Sequence, residues 1–462
     1  AGGAIMRNIV ALGATCALTD FPLASLDEAL EKRFGSKGES IVANNATAAK
    51  HGHEHVLEQF SLEGEYPLKT TDEDYVLLNG AEAIGVGAIA AGCRFYSGYP
   101  ITPATNVFEY LTGRLEQFGG SVVQAEDELA AVTMALGAAR TGLRAMTATS
   151  GPGIDLMAET FGLVSQTETP LVICNMMRAG PSSGMATKQE QSDLTMMLHG
   201  SHGESPRFVL APTTVSECFH RTVEAFNLAE KYQLPVYLAG DLSLAVTEQT
   251  VRPEELDPSD VEIHRGKLIE GDAVGEWTNE RDQFTPHAVT EDGISPRVLP
   301  GTSGGAHMTT GLEHNELGRR TESTEVRVQQ VDKRNRKVQT AMDEEEWSYR
   351  EFGDPDADVL VVTWGSNEGP LREALGFLDA EGVAVRVLSV PYLFPRPDLR
   401  DEFDDAKQVM VVECNASGQF ADLLEHDTFT HVTRIRKYNG VRFTADELAE
   451  RIEANLDSEV AA

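Results

Sequence analysis

Cysteine is scarce and scattered. The 462 residues hold only Cys16, Cys93, Cys174, Cys218 and Cys414, none within four residues of another. No CxxC pair exists, so the chain offers no ligand set for zinc or an iron–sulfur cluster. The odd count and wide spacing fit reduced thiols in a cytoplasmic protein rather than a disulfide framework. Long apolar runs are missing too: none approaches the ~18 residues that a membrane span needs. Positive charge is in short supply. Lys and Arg total 38 against 73 acidic residues, a net charge of −35, which excludes nucleic acid as a partner. Lysine is the rarer cation, 11 against 27 arginines. That balance is expected of a salt-adapted protein, because a Debye length of ~3 Å at 1 M screens the self-repulsion of so many acids. The start, Ala1-Gly2-Gly3, lacks both Met and the pattern of a secretory leader, which predicts a processed or truncated beginning.

The hydrophobic share, 41%, supports packed cores, and the length allows two to four domains. Residues 1–65 read as the tail of a domain plus a linker. MRNIVALGATCALTDFPL is a short apolar piece. LASLDEALEKRFGSKG predicts a helix with Ser25 as N-cap, Leu26, Leu30 and Phe34 on one stripe, and Gly35 as its stop. IVANNATAAKHGHEHV also reads as helical. His51, His53 and His55 alternate, so a helix puts only the first and last on one face; a solvated helix end is the better reading. Polar residues with Gly64, Pro67 and Asp72-Glu73-Asp74 mark the linker over 60–75.

From 75 to 250 strands and helices alternate, which predicts a parallel, doubly wound α/β sheet. Gly85 and Gly87 imitate a dinucleotide fingerprint but fall inside the helical pattern AEAIGVGAIAAG; close packing explains them better. In ITPATNVFEYLTGRL, Thr102 precedes Pro103 at an expected N1 position. GPGIDLMAETFGLVSQ reads as one helix. Residues 251–345 lose the rhythm: TEDGISPRVLPGTSGG predicts an extended arm over a neighbouring domain or subunit, and TEVRVQQVDKRNRKVQTAMDEE a charged helix. A second α/β unit occupies 350–462.

Chemistry concentrates between Tyr99 and Lys188. In open α/β sheets, sites lie beyond the carboxyl ends of strands, and Thr102, Glu128, Ser150 and Arg178 all fall there. Glu128 follows Glu126 and Asp127 at a helix start, where the helix dipole alone favours an acid; a capping acid and a functional carboxylate are both open. Arg178 ends the apolar strand PLVICNMM. Its charge needs water or an anion, either a structural salt bridge or a ligand. GPSSGMATK offers consecutive N–H groups and the hydroxyls of Ser182, Ser183 and Thr187, the makings of an anion nest or of an ordinary turn.

The segments NGAEAIGVGAIAAGCRFYSGYPITPATNVFEYL, QAEDELAAVTMALGAARTGLRAMTATSGPGIDLMAE, RAGPSSGMATKQEQSDL and LPVYLAGD resemble the α subunit of the 2-oxoacid:ferredoxin oxidoreductases. The GPSSG…TKQEQSDL run and the arm TEDGISPRVLPGTSGG…GLEHNELG are most similar to the 2-oxoglutarate branch. The resemblance covers about 75–460, and residues 1–60 resemble the end of the γ-type domain that some members fuse in front. It implies a thiamine diphosphate (TPP) pyrimidine-type domain over 70–250 and a transketolase C-terminal-like α/β domain over 350–462. It also implies a reaction in which a 2-oxoacid and CoA give acyl-CoA and CO2 while ferredoxin is reduced. The cofactor's diphosphate, Mg²⁺ and the [4Fe-4S] cluster belong, by resemblance, to a β subunit in an αβ or (αβ)2 assembly. The lack of a GDG-type Mg²⁺ loop and of cluster cysteines here agrees with that.

Carried over by resemblance, Glu128 is the residue that hydrogen-bonds the aminopyrimidine and favours its imino tautomer, which takes the thiazolium C2 proton. Its nine-residue spacing to Gly137 matches the pattern of TPP enzymes, whereas that of Glu126 does not. Tyr99, Pro100 and Ile101 of YPITP then lie along the cofactor. Thr102 and Arg178 bind the 2-oxoacid carboxylate, with Thr187 a further substrate contact. Lys188 is a candidate for the distal carboxylate of 2-oxoglutarate, which the β subunit could meet instead. Pyruvate or a broad range of 2-oxoacids is the alternative substrate class. A non-redox TPP decarboxylase is a second alternative, and a non-catalytic assembly subunit a third.

Overall fold

The computed structural model describes residues 4–60, 67, 68, 71 and 73–456. The linker residues Gly64 and Asp72 lie outside the described residues. The chain forms two compact units, Ala1–Asp74 and Tyr75–Ala462.

The first unit is helical. The apolar opening piece is itself a helix, Arg7–Thr19, followed by Leu23–Phe34 and Glu39–Gln59. A Cβ on Gly13 would stand 1.8 Å from the Ala49 carbonyl oxygen, and one on Gly52 1.9 Å from that of Val10. Glycine at both points lets the first and third helices touch backbone to backbone. Ser25 is not the cap of the second helix. That helix starts directly after Pro22, whose extended backbone (φ −58°, ψ 120°) makes it the N-cap, and Ser25 donates its N–H to the Pro22 carbonyl in the first turn. Leu30 is buried, with Leu26 and Phe34 half-buried beside it. His51 and His55 are exposed on the third helix.

Among the described residues the second unit contains fourteen strands: β1 (Val76–Asn79), β2 (Cys93–Gly98), β3 (Ser121–Gln124), β4 (Arg144–Thr149), β5 (Leu171–Met177), β6 (Phe208–Leu210), β7 (Pro235–Asp241), β8 (Glu248–Val251), β9 (Arg350–Gly353), β10 (Val359–Thr363), β11 (Arg386–Ser389), β12 (Tyr392–Phe394), β13 (Gln408–Glu413) and β14 (Thr433–Arg436). The main sheet runs β12-β6-β7-β5-β4-β2-β3. It is parallel except where β12 joins β6. Every residue of β5 and β7 is buried, as expected of central strands covered on both faces. The second sheet runs β14-β13-β10-β11-β9, with only β9 antiparallel. One core joins the two sheets: Met157, Phe161 and Tyr237 of the first pack in the same cluster as Trp364, Val411 and Phe420 of the second.

Several local expectations change. Pro103 is not at N1. The chain turns through 101–104, with Thr105 N–H on the Ile101 carbonyl, and the helix runs Thr105–Thr112. The segment after β4 is two helices, Gly151–Leu156 and Ala158–Gln166, broken at Met157. Gly85 and Gly87 are packing glycines inside the helix Gly80–Ala90; added Cβ atoms would meet the Tyr110 ring at 2.3 Å and the Phe219 carbonyl oxygen at 2.6 Å.

The arm between β8 and the helix Thr324–Glu344 has only short 3-10 turns and isolated bridges. It lies over the main sheet's own unit. Arg265 donates to the Gly142 carbonyl at 2.6 Å and Gln233 to that of Ser295 at 2.7 Å; Gln166 donates to that of Leu312 at 3.2 Å. The charged helix is not solvated all round. It buries Gln330, Lys333, Arg334 and Lys337, because a buried carboxylate waits beneath it. Glu168 holds Lys333 Nζ at 2.6 Å, Lys337 Nζ at 2.5 Å and His287 Nδ1 at 2.8 Å. Burial pushes His287 down to about 3, so its imidazole is neutral and donates Nδ1–H to the carboxylate. Glu168, His287 and His314 bring ligand atoms within 4.8 Å of one another, yet two ammonium groups already occupy the cation's place on that carboxylate.

Candidate functional site

Two strands lie side by side while their outgoing connections diverge: β2 leads to β3 on one flank and β4 to β5 on the other. Such a switch point opens a crevice at the carboxyl ends of the strands. Tyr99-Pro100-Ile101-Thr102 leaves β2 there and Ser150 leaves β4. Tyr99 and Thr102 are exposed; Pro100 and Ile101 are half-buried. The Ser150 hydroxyl is buried with no hydrogen-bond partner among the described residues.

The helix after β3 delivers the carboxylate. Of three consecutive acids, Glu126 and Asp127 are exposed and Glu128 is 5% exposed. Asp127 is the cap, accepting the Ala130 N–H at 2.7 Å. Glu128 is the first residue of Glu128–Arg140. Its carboxylate has neither a hydrogen bond nor an ion pair among the described residues. The side chain is packed on most sides while its carboxylate oxygens keep a small opening to the crevice, and no protein group among the described residues accounts for an acid at this position. Gly153 makes the space. A Cβ there would come 1.9 Å from Thr149 Oγ1 and 2.8 Å from Glu128 Oε1. Gly137, by contrast, sits on the exposed face with nothing within 4 Å of an added Cβ, so its spacing from Glu128 has no packing basis here.

Arg178 follows β5 and is 7% exposed. Its Nη1 donates to the Thr102 carbonyl at 2.7 Å, which brings two residues singled out in the sequence together. It forms no ion pair among the described residues, and its Nε is buried without a partner. It lines a cleft of about 310 Å³ with Ser182, Asp155, Glu190 and Asp193. Burial pushes Asp193 up to about 6, moderated by a hydrogen bond from Asn175 and raised further by Asp155 and Glu190. Burial raises Glu190 as well. The loop after Arg178 is not an empty anion nest: its Gly180 N–H donates to Glu190 Oε2 at 2.9 Å, so the protein's own acid takes that donor. Thr187 and Lys188 are exposed on the far limb of this loop and do not line the cleft. A Cβ added at Gly440 would stand 3.0 Å from Lys188 Cβ, so the lysine stem leans on that turn.

Asn175, Asp155, Glu190, Asp193 and Gly153 escaped the sequence reading. Asn175 had a visible signal, as the one polar residue in the strand LVICNMM; the acids lie in loops where charge is unremarkable.

The second sheet has its own switch point, between β10 and β13, but it is filled. The fully buried Gln191 donates to the Trp364 carbonyl at 3.3 Å and accepts from Cys414 N–H at 3.0 Å and Asn367 Nδ2 at 2.9 Å. The main sheet therefore keeps the open crevice.

The profile of the family "Pyruvate flavodoxin/ferredoxin oxidoreductase, thiamine diP-bdg" matches residues 86–333, and that of "Pyruvate ferredoxin/flavodoxin oxidoreductase" matches 1–55. The 2-oxoacid:ferredoxin oxidoreductase subunit alpha of Saccharolobus solfataricus is 35% identical over 97% of this chain and 71% of its own. The chain belongs to the family of 2-oxoacid:ferredoxin oxidoreductase α subunits. The 2-oxoglutarate synthase subunit KorA of Methanothermobacter thermautotrophicus is 36% identical over 76% of this chain and 90% of its own. A solved 2-oxoglutarate:ferredoxin oxidoreductase from Magnetococcus marinus, with 2-oxoglutarate, coenzyme A and succinyl-CoA bound, superposes with a TM-score of 0.89. It is 37% identical and covers 97% of this chain and 77% of that one. The chain is thus an oxidoreductase subunit with the α/β fold of a TPP enzyme, and 86–333 carry the family's thiamine diphosphate-binding domain. The Glu128 carboxylate beside Gly153, unpartnered among the described residues, fits an aminopyrimidine ring, which offers N–H donors to such an acceptor. Among the described residues no helix is long and apolar enough to cross a membrane.

Proposed function

We propose that this chain is the α subunit of a TPP-dependent 2-oxoglutarate:ferredoxin oxidoreductase, which converts 2-oxoglutarate and CoA to succinyl-CoA and CO2 and passes two electrons to ferredoxin. The observation that carries the reading is Glu128, a buried carboxylate without a partner among the described residues. When bound, thiamine diphosphate supplies the electron sink for decarboxylation. Glu128 holds a proton of the aminopyrimidine ring, and Gly153 keeps the carboxylate in reach. Tyr99, Pro100 and Ile101 line the cofactor's approach. Arg178, fixed by the Thr102 carbonyl, meets the substrate carboxylate with a charge-assisted contact. Thr187 is a further substrate contact and Lys188 meets the distal carboxylate; both stand outside the Arg178 cleft of this chain, and a β subunit completes that end of the pocket. That subunit carries Mg²⁺, the diphosphate contacts and the [4Fe-4S] cluster in an αβ or (αβ)2 assembly. The setting is a salt-rich cytoplasm, in keeping with the net charge of −35.

The likeness to KorA and to the Magnetococcus marinus enzyme supports 2-oxoglutarate. One observation favours a smaller substrate such as pyruvate. Asp155, Glu190 and Asp193 share the cleft with Arg178, and their charge opposes a second carboxylate. CoA-dependent viologen reduction by the reconstituted pair at high salt separates the two. A higher kcat/KM for 2-oxoglutarate is expected; a preference for pyruvate overturns the substrate assignment. Glu128→Gln is expected to abolish turnover with either substrate and to leave assembly intact. Full activity of that variant would overturn the role of Glu128.

A further inference from the structure

A second cavity, of about 270 Å³, opens beyond the carboxyl ends of β6, β7 and β10. Thr214, Ser243, Thr247, Gln249 and Arg442 line it, and no Asp or Glu does. In a chain with 73 acids that is unusual: the Arg178 cleft and three further cavities, walled in part by Glu224, Asp398 and Glu168, each have at least one. Three acids behind the wall are already engaged by the protein, Asp241 in part by the wall residues Ser366 and Leu244. Asp241 accepts from Gln191, Ser366 and the Leu244 N–H. Glu217 and Glu368 share Arg350.

The cation is unspent. The Arg442 guanidinium has no partner among the described residues; only its carbonyl is engaged, accepting from Lys437 at 2.9 Å. Ser243 is 8% exposed, and its hydroxyl also has no partner among the described residues. Gln249 uses its Oε1 on the Val215 N–H at 3.4 Å and keeps its amide hydrogens. The backbone N–H groups of Val215, Ser243 and Leu244 are already bonded within the protein. What the cavity offers a ligand is therefore side-chain donors from three separate chain segments around one arginine. A tetrahedral oxyanion accepts from several directions at once, whereas a carboxylate presents two coplanar oxygens.

We propose that this cavity is an oxyanion site for a phosphate group, bridging the carboxyl edges of the two sheets and distinct from the Glu128–Arg178 site. The proposal does not rest on the assigned reaction, and its readout is binding rather than turnover. Inorganic phosphate is titrated into the full chain at fixed ionic strength, followed by 31P NMR and by the rise in Tm that selective binding to the folded state produces. The overall negative charge works against casual anion binding. Saturable binding is expected. Arg442→Gln should weaken it about tenfold, the loss of one charge-assisted contact, Ser243→Ala should weaken it less, and Arg178→Gln should leave it unchanged. Because Arg442 is exposed, its variant should keep the phosphate-free Tm, so lost binding is not lost folding. Repeating the titration with adenosine 3′,5′-bisphosphate separates the sources. Tighter binding that is still lost in Arg442→Gln assigns a phosphate ester; equal or weaker binding assigns the free anion. Absence of saturable phosphate binding, or binding indifferent to Arg442→Gln, overturns the proposal.

Discussion

Glu168→Gln keeps the shape of the side chain and deletes one charge under the helix Thr324–Glu344. Lys333 and Lys337, both 0% exposed at the side chain, then face each other without an anion. Breaking a buried ion pair this way costs ~3–5 kcal/mol. The lysines also set a ceiling, because each can release its proton. At pH 7 the gap to the ordinary lysine value of 10.5, at ~1.36 kcal/mol per pH unit, caps the cost at about 4.8 kcal/mol per lysine. The wild type already strains in this direction: burial pushes Lys337 down to about 8 even with Glu168 present. In the variant the folded state binds fewer protons than the unfolded state at neutrality, so its stability rises with pH. Between pH 7 and 8 the wild-type Lys337, at about 8, still keeps half or more of its proton. The gap between the two proteins should therefore shrink, by at most ~1.4 kcal/mol for each lysine that has lost its proton in the variant. Urea unfolding at pH 7.0, 7.5 and 8.0 measures it. A gap independent of pH, or one that widens, would show that Glu168 does not serve as the counter-charge of these lysines.

The same knot makes the protein acid-labile. His287 takes a proton near 6.5 when unfolded and only near about 3 when folded, so stability should fall as pH drops from 6.5 to 3, by about 4.8 kcal/mol in total. Glu168, held well below 4.5 by Lys333 and Lys337 against its burial, adds to the loss below pH 4.5; a Tm flat from pH 6.5 to 4.5 would contradict the first, and one flat from 4.5 to 3 the second. Gly153→Ala should displace Glu128, abolish thiamine diphosphate binding in equilibrium dialysis of the complex, and cost ~1–3 kcal/mol of overpacking. Gly137→Ala, open on all sides, should keep activity and gain ~0.5–1 kcal/mol; loss of activity there would give the Glu128–Gly137 spacing a role that packing does not explain. Asp193→Asn removes an acid that faces Arg178 and sits at about 6. It should lower KM for the 2-oxoacid at pH 7 and abolish the fall in KM expected of the wild type between pH 7 and 5.5. An unchanged KM at both pH values would take Asp193 out of substrate binding.

Alternation of strands and helices over 75–250, the apolar runs of β5 and β7 and the second α/β unit were legible because burial on both sheet faces writes itself into local composition. So was the rejection of Gly85 and Gly87 as a nucleotide loop, since their helical phase is a local property. Thr102 and Arg178 were legible as strand-end residues, and they do meet. Three things were not. The resemblance singled out Glu128, but residue types alone do not say which of three consecutive acids is buried; that follows from the packing of Glu128–Arg140 against Gly153. The acids around Arg178 come from the helix after β4 and the loop before Leu194, distant segments whose charges look solvated until the fold closes over them. The charged helix Thr324–Glu344 reads as a surface helix because its burial depends on Glu168, more than 150 positions earlier. Local order follows from neighbours in sequence. Which charges are stripped of water, and so which are costly enough to need a function or a partner, follows only from chain segments that meet in space.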